Sequence, residues 1–297
     1  MCEPVLKVCK RQIHTWQQSI SFSIQYMEWM IIGILGPEGS YTEKAAKQWN
    51  KMGDLHYYDD IQDTVEAVLR NEVDYSIVPV ENSLEGSIPL TLDLLMEHQL
   101  KIAGEVIVQI SHCLLSKGRL SGIKVVMSHP QALSQCRKFI KMHFRNTEVR
   151  PVLSTSLAAK LASGSKDIAA IASVESAQRY GLEILEENIQ DINENHTRFI
   201  VVGKETPHPT GNDKTSIIIY LQKNRPSALF EILKEFANKS IDLTKIESRP
   251  TKKFLGDYLF HIDLRGHIED KNIKETLEKI NSKVGMLKIL GSYPAAR

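Results

Sequence analysis

Short apolar runs alternate along this chain with apolar stripes of helical period. Residues 31–35, 75–80, 124–127, 149–153, 168–172 and 200–202 read as strands, rich in Ile and Val and without helical spacing. Residues 41–51 read as a helix opened by Ser40, and Asp60 or Asp63 can cap a second, with Ile61, Val65, Val68 and Leu69 on one face. Further helices are expected over 89–98, 157–163 and 174–180, the last closed by Gly181. Another follows Ser128, which caps it, with Pro130 in a first turn that needs no N–H. Residues 102–115 form one extended stretch long enough to cross between two lobes. Such alternation predicts an α/β fold with a mainly parallel sheet.

The grammar changes near residue 206. Thr206-Pro207-His208-Pro209-Thr210-Gly211-Asn212-Asp213 has the turn-rich composition of a linker. Beyond it, strands over 215–222, 243–248, 258–264 and 286–290 and helices over 226–239 and 273–280 give the order β-α-β-β-α-β of an α+β, ferredoxin-like unit. That unit leaves one sheet face to cover, so pairing with a second copy is expected. Residues 1–29 have no Gly, no clear period and no continuous apolar segment, and read as an extension outside the chemistry. The expected organisation is 1–29, 30–205, 206–213 and 214–297, the third span being the linker and the last a regulatory domain.

At five places an apolar run ends in Ser, Thr or Asn at what reads as a helix head: Gly36-Pro37-Glu38-Gly39-Ser40, Val80-Glu81-Asn82-Ser83, Ser128-His129-Pro130-Gln131, Ser154-Thr155 and Ala172-Ser173. Helix heads carry unpaired N–H groups and partial positive charge, so a convergent set makes a crevice for a small anion. Composition narrows the rest. Lys plus Arg, 37, balances Asp plus Glu, 36, leaving no basic field for nucleic acid. No apolar run approaches membrane-spanning length. Cys2, Cys9, Cys113 and Cys136 show neither a CxxC nor zinc-like spacing, so no metal is expected, and the composition fits a reducing, cytoplasmic setting.

Asn195-His196-Thr197-Arg198-Phe199 leads into the strand over 200–202 and offers a hydroxyl, a cation and an apolar ring. Arg198 can grip a carboxylate in two places, or it can simply be pinned to a neighbouring Asp or Glu. Asn82, Ser83, Gln131 and Thr155 are likewise either ligand contacts or plain caps. His112 shares a face with Val106, Val108 and Ile110 and reads as a packed, hydrogen-bonded histidine. No nucleophile motif, metal pattern or strong base stands out, so the crevice suits binding, or a reaction driven by orientation and local hydrogen bonding.

Together these segments resemble the prephenate dehydratase family. The resemblance rests on Gly36-Pro37-Glu38-Gly39-Ser40-Tyr41-Thr42, Pro79-Val80-Glu81-Asn82-Ser83-Leu84-Glu85-Gly86, Ser128-His129-Pro130-Gln131-Ala132-Leu133, Ser154-Thr155-Ser156-Leu157-Ala158-Ala159 and Asn195-His196-Thr197-Arg198-Phe199, all in order, with Leu243-Thr244-Lys245-Ile246-Glu247-Ser248-Arg249-Pro250 downstream. It implies a two-lobed catalytic domain similar to type II periplasmic binding proteins, followed by an ACT domain, in a homodimer or homotetramer. It implies conversion of prephenate to phenylpyruvate, with no cofactor and no metal. Thr197 would assist the leaving hydroxyl. Arg198 and the groups around Ser83, Ser128, Thr155 and Ser173 would place carboxylates, Phe199 would line the ring, and Asn82 and Gln131 would complete the polar contacts. A feedback site for L-phenylalanine between subunits would use a turn at Glu247, Ser248, Arg249 and Pro250, with Ser227, Ala228 and Leu229. Ser227 stands where the family has Gly. Arogenate dehydratase and a non-catalytic sensor of the same fold remain as alternatives, the second opposed by the intact Thr197-Arg198-Phe199.

Overall fold

The computed structural model describes residues 30–221, 225–252, 254 and 256–296, so the segment 1–29 assigned to an extension lies outside the described residues. Three sheets organise the rest. The first contains β1 (Ile31–Leu35), β2 (Asp54–Tyr58), β3 (Tyr75–Asn82), the two-residue β4 (Gly86–Ser87), β5 (Lys101–Gln109) and β11 (His196–Gly203), in the order β2-β1-β3-β11-β5 with β4 paired to β3. Around it lie α1 (Tyr41–Trp49), α2 (Ile61–Leu69) and α3 (Pro89–Glu97). The second sheet is β10-β6-β9-β7-β8, from β6 (Cys113–Ser116), β7 (Val125–Ser128), β8 (Glu148–Pro151), β9 (Ile168–Ala172) and β10 (Glu183–Glu186). Its helices are α4 (Pro130–Gln135), α5 (Arg137–His143), α6 (Thr155–Ala162) and α7 (Val174–Tyr180).

The long extended stretch does cross, ending β5 in the first sheet and beginning β6 in the second. The chain returns after β10, and this return sets the sheet character. β11 must run antiparallel to both β3 and β5, so the first sheet is mixed rather than mainly parallel. Two strands, β2 and β10, had no apolar run to announce them. Both are edge strands, and Asp54, His56, Glu183 and Glu186 on them face solvent.

Local chemistry fixes the helix heads. Ser40, Asp60, Ser154 and Ser173 each accept a backbone N–H three residues on, at 3.2, 2.7, 3.0 and 3.2 Å. Each such cap stabilises its helix by roughly 1 kcal/mol. Ser128 does not cap α4. It is the buried last residue of β7, and its hydroxyl donates to the Ile171 carbonyl at 2.5 Å, tying β7 to β9. The cap is His129, whose Nδ1 accepts from the Gln131 N–H at 3.3 Å.

The third sheet is antiparallel, ordered β13-β14-β12-β15 from β12 (Asp213–Tyr220), β13 (Leu243–Pro250), β14 (Tyr258–Arg265) and β15 (Met286–Pro294). This is the strand order of the split βαβ unit. One face carries α8 (Ala228–Asn238) and α9 (Lys271–Asn281) over a core of Ile217, Ile219, Phe236, Ile262 and Leu277. On the other face Ile218, Leu290 and Tyr293 join Val78, Val80, Leu92 and Ile200 in one cluster. That face, expected to need a second copy, is therefore packed in the same chain against the first sheet. The approach is close: a Cβ on Gly291 would stand 2.2 Å from the Ile102 carbonyl oxygen. The turn before β12 is tied down as well, since Asp213 accepts from the Thr210 and Gly211 N–H groups at 2.8 and 2.9 Å. Among the described residues no helix is long and apolar enough to cross a membrane.

Candidate active site

A crevice of about 210 Å³ opens between the first and second sheets. Thr197, Phe199, Asn82 and Pro79 line it from β11 and β3, Gln131 and Gln135 from α4, and Ser154 and Thr155 from the head of α6. Asn82, Gln131, Thr155, Thr197 and Phe199, five of the residues singled out in the sequence, are thus brought together from segments far apart in the chain.

Asn82 is the fixed point. Its Oδ1 accepts the N–H groups of Leu84 and Glu85 at 3.0 and 3.2 Å, closing a tight turn into β4. Asn82 therefore caps a hairpin turn, not the helix expected there. The turn settles which way the amide faces, so Nδ2 is the group that reaches Thr197 Oγ1 at 2.9 Å and Asn195 Oδ1 at 2.7 Å. Thr197 and Asn82 are direct register partners in the β3–β11 pair. Because Thr197 Oγ1 accepts from Asn82, its own proton is left to donate into the crevice.

The same logic runs onward. Asn195 Nδ2 donates to Gln135 Oε1 at 3.1 Å, which makes that oxygen an acceptor for His112 Nε2 at 3.0 Å as well. His112 is therefore protonated on Nε2, with a bare Nδ1. Neither that Nδ1 nor Gln135 Nε2 has a hydrogen-bond partner among the described residues. Burial depresses the His112 pKa, against a smaller opposing effect of the Gln135 bond, and this keeps the ring neutral. His112 is packed as expected, yet it also lines the crevice. Asn195 and Gln135 received no role in the sequence. Gln135 lies one helical turn beyond Gln131, which is the signal that could have found it.

Three expected site residues lie beside the crevice. Ser83 accepts from the His196 N–H at 2.9 Å and zips the approach to β11. Ser128 ties strands together, as above. Ser173 is 2 % exposed and turns its hydroxyl to the Gly39 carbonyl at 3.3 Å. This last contact belongs to a clasp between the two sheets. Ser176 also donates to Gly39 O, at 2.9 Å, while Tyr180, at 2.9 Å, and Ser156 donate to Glu38 O.

Arg198 does not face the crevice. Successive strand residues point to opposite faces, and its guanidinium meets Asp263 at 2.8 Å, Glu105 at 3.1 Å and Glu81 at 3.3 Å on the reverse of the sheet. The plainer of the two sequence readings holds: Arg198 is pinned by carboxylates. Among the described residues no Lys or Arg lines the crevice, so an anion there would meet helix heads and neutral donors.

Glu247, Ser248, Arg249 and Pro250 are not a turn but the last four residues of β13, paired with Tyr258 to His261. Glu247 and Arg249 face Ser87 and Asp93 of the first sheet unit, whereas Ser248 and Pro250 are exposed. Ser227 has φ +68° at the head of α8, a left-handed conformation that explains why Gly suits the position. Ala228 and Leu229 follow it, half-buried, and no hydrogen bond or ion pair among the described residues joins 227–229 to 247–250.

Comparison with known proteins gives a consistent answer. A family model described as prephenate dehydratase matches residues 32–207. A prephenate dehydratase of Methanocaldococcus jannaschii is 44% identical over 268 residues, spanning 87% of this chain and 96% of its own. The solved structure of a prephenate dehydratase from Arthrobacter aurescens, in complex with L-Phe, superposes with a TM-score of 0.81 at 35% identity, covering 89% of this chain and 90% of its own. A structure described as GqqA, a novel type of quorum quenching acylase, also gives a TM-score of 0.81, at 29% identity, covering 89% and 98%. With the family match over more than half its length and a close relative spanning nearly all of it, the chain belongs to the prephenate dehydratase family.

Proposed function

We propose that this chain converts prephenate to phenylpyruvate, carbon dioxide and water, with L-phenylalanine as effector. In the reaction the ring carboxylate leaves as carbon dioxide, and its bonding pair moves into the ring. The allylic C–O bond breaks with its pair on oxygen, and one proton turns the departing hydroxide into water. Aromatisation supplies the driving force, so the protein has to hold two carboxylates, meet the leaving oxygen with a donor and keep the ring out of water.

The observation that carries this reading is the Asn82–Thr197 rung. A threonine hydroxyl is a poor acid near neutral pH, and it acts best as a placed hydrogen-bond donor. Asn82 occupies its lone pair and so directs its proton at the substrate. Gln131, the free Gln135 Nε2 and the α6 head at Thr155 supply donors for carboxylates, and Phe199, 2 % exposed, walls the ring. Acyl-amide hydrolysis would need an activated nucleophile, and no crevice hydroxyl among the described residues bonds a histidine.

On this reading residues 30–205 form the catalytic domain, two-lobed like type II periplasmic binding proteins, and 214–297 an ACT domain joined through 206–213. The effector would sit at Glu247 to Pro250 with Ser227, Ala228 and Leu229 supplied by a second copy in a homodimer or homotetramer. The test is the ultraviolet absorbance of phenylpyruvate formed from prephenate, with and without L-phenylalanine. Turnover with arogenate alone, or with neither substrate, removes the proposal.

A further inference from the structure

The two strands that carry Asn82 and Thr197 into the crevice carry something different on their reverse. Glu81 and Arg198, each one peptide bond from a crevice residue, are themselves register partners in the β3–β11 pair. They face the third sheet. Arg198 Nη1 lies 2.8 Å from Asp263 on β14, and Glu81 lies 3.1 Å from Lys245 on β13. Glu105 on β5, its side chain 1 % exposed, binds Arg198 at 3.1 Å and Lys214 on β12 at 2.7 Å. Lys245 continues to Glu247 at 3.3 Å and to the Ser87 hydroxyl at 2.6 Å, and Ser87 also bonds Glu247. β3, β5 and β11 on one side of this interface and β12, β13 and β14 on the other thus each contribute a charge to one connected cluster.

Resting on the function proposed above, we infer that this cluster couples the third sheet to the Asn82–Thr197 rung, with Arg198 as a positioning residue rather than a contact to substrate. Buried ion pairs are suited to this. Their charges are costly to leave unpaired, so partners exchange between discrete arrangements rather than drifting. A ligand that shifts β13 near Glu247 moves Lys245, and the strain passes to Glu81 and Arg198. Arg198 and Thr197 share a peptide unit, so a shift of the β11 backbone at Arg198 reorients Thr197. The loss of the 2.9 Å Asn82–Thr197 bond would then redirect the Thr197 proton.

The test uses Asp263→Asn, with Lys214→Gln as a second variant on the same cluster should the first fold poorly. Neither residue lines the crevice or belongs to the effector segments. For each full-length variant, kcat and KM for prephenate, inhibition by L-phenylalanine, and L-phenylalanine binding by equilibrium dialysis are measured. The expected result is kcat, KM and binding within about threefold of the parent, with the half-inhibiting concentration raised at least about tenfold, because a coupling free energy has been removed while both sites remain. Inhibition unchanged in both variants overturns the inference, and so does inhibition that weakens only in step with binding. A parent chain that turns prephenate over but ignores L-phenylalanine also overturns it, leaving the catalytic reading intact. A parent without turnover removes the proposed function, and this inference with it.

Discussion

The two faces of the β3–β11 pair sit back to back and use opposite chemistry. On the crevice face Asn82, Asn195, Gln135, His112 and Thr197 form a relay of neutral groups in which each bond fixes the orientation of the next. On the reverse, Glu81, Glu105, Arg198, Lys214, Asp263 and Lys245 form a cluster held by charge. The first arrangement places one proton accurately and leaves few competing positions. The second binds two sheets strongly but leaves each ion a choice of partners. A neutral relay suits orientation; a charged cluster suits adhesion and exchange.

Substitutions should separate these roles. Thr197→Ala is expected to lower kcat by about a thousandfold with KM within a few-fold and the melting temperature nearly unchanged, since the donor aimed into the crevice is lost while Asn82 Nδ2 keeps Asn195 Oδ1 and the His196 carbonyl as acceptors. A matching drop in thermal stability would show that the crevice face holds the fold as well. Arg198→Met should do the converse. It strands Glu105 and Asp263 with one cation fewer, lowering stability by about 3–5 kcal/mol in denaturant titration, while folded protein keeps its KM for prephenate. A large rise in KM would put the guanidinium back in contact with substrate.

A smaller effect involves His261, on β14 beside the cluster. Burial, with Arg249 and Lys245 nearby, lowers its pKa from 6.5 to about 4, and Glu247 and Asp263 oppose this only in part. Between those values the unfolded chain holds more protons than the folded one. Stability is therefore complete above pH 6.5 and falls as pH drops towards 4, by about 3 kcal/mol in all. His261→Gln should flatten that part of the profile; an unaltered slope would assign it to other groups. The smallest change expected is for Ser227→Gly. It relieves a left-handed φ of +68° at the expense of a freer unfolded chain, for a net gain of about 0.5 kcal/mol.

Much of this was legible in the residues because it was local. The caps at Ser40, Ser154 and Ser173, the crossing after β5 and the β-α-β-β-α-β order follow from spacing and side-chain type. What failed was long-range. Nothing near Arg198 in sequence says that Asp263 waits behind it, although strand alternation places Arg198 on the face opposite to Thr197. Asn82 looked like a helix cap because an Asn that accepts two N–H groups serves a hairpin turn equally well. Ser128 looked like a cap because its neighbour His129 took that duty. β2 and β10 were missed because edge strands need no buried face.

The clasp at Glu38 and Gly39 bears on how freely the crevice can be tuned. Its acceptors are main-chain oxygens, so side-chain replacement at residue 38 leaves them in place. Gly39 itself has little latitude: φ is +79°, and a Cβ there would stand 3.2 Å from Ser176 Cα. Adjustment is thus confined to the far side, where Ser156, Ser173, Ser176 and Tyr180 can lose their hydroxyls one at a time. Each neutral bond removed weakens the tie between the two sheets by about 1 kcal/mol, roughly fivefold in an equilibrium constant. The grip of one sheet on the other thus becomes a quantity that drift or selection sets in small, countable steps.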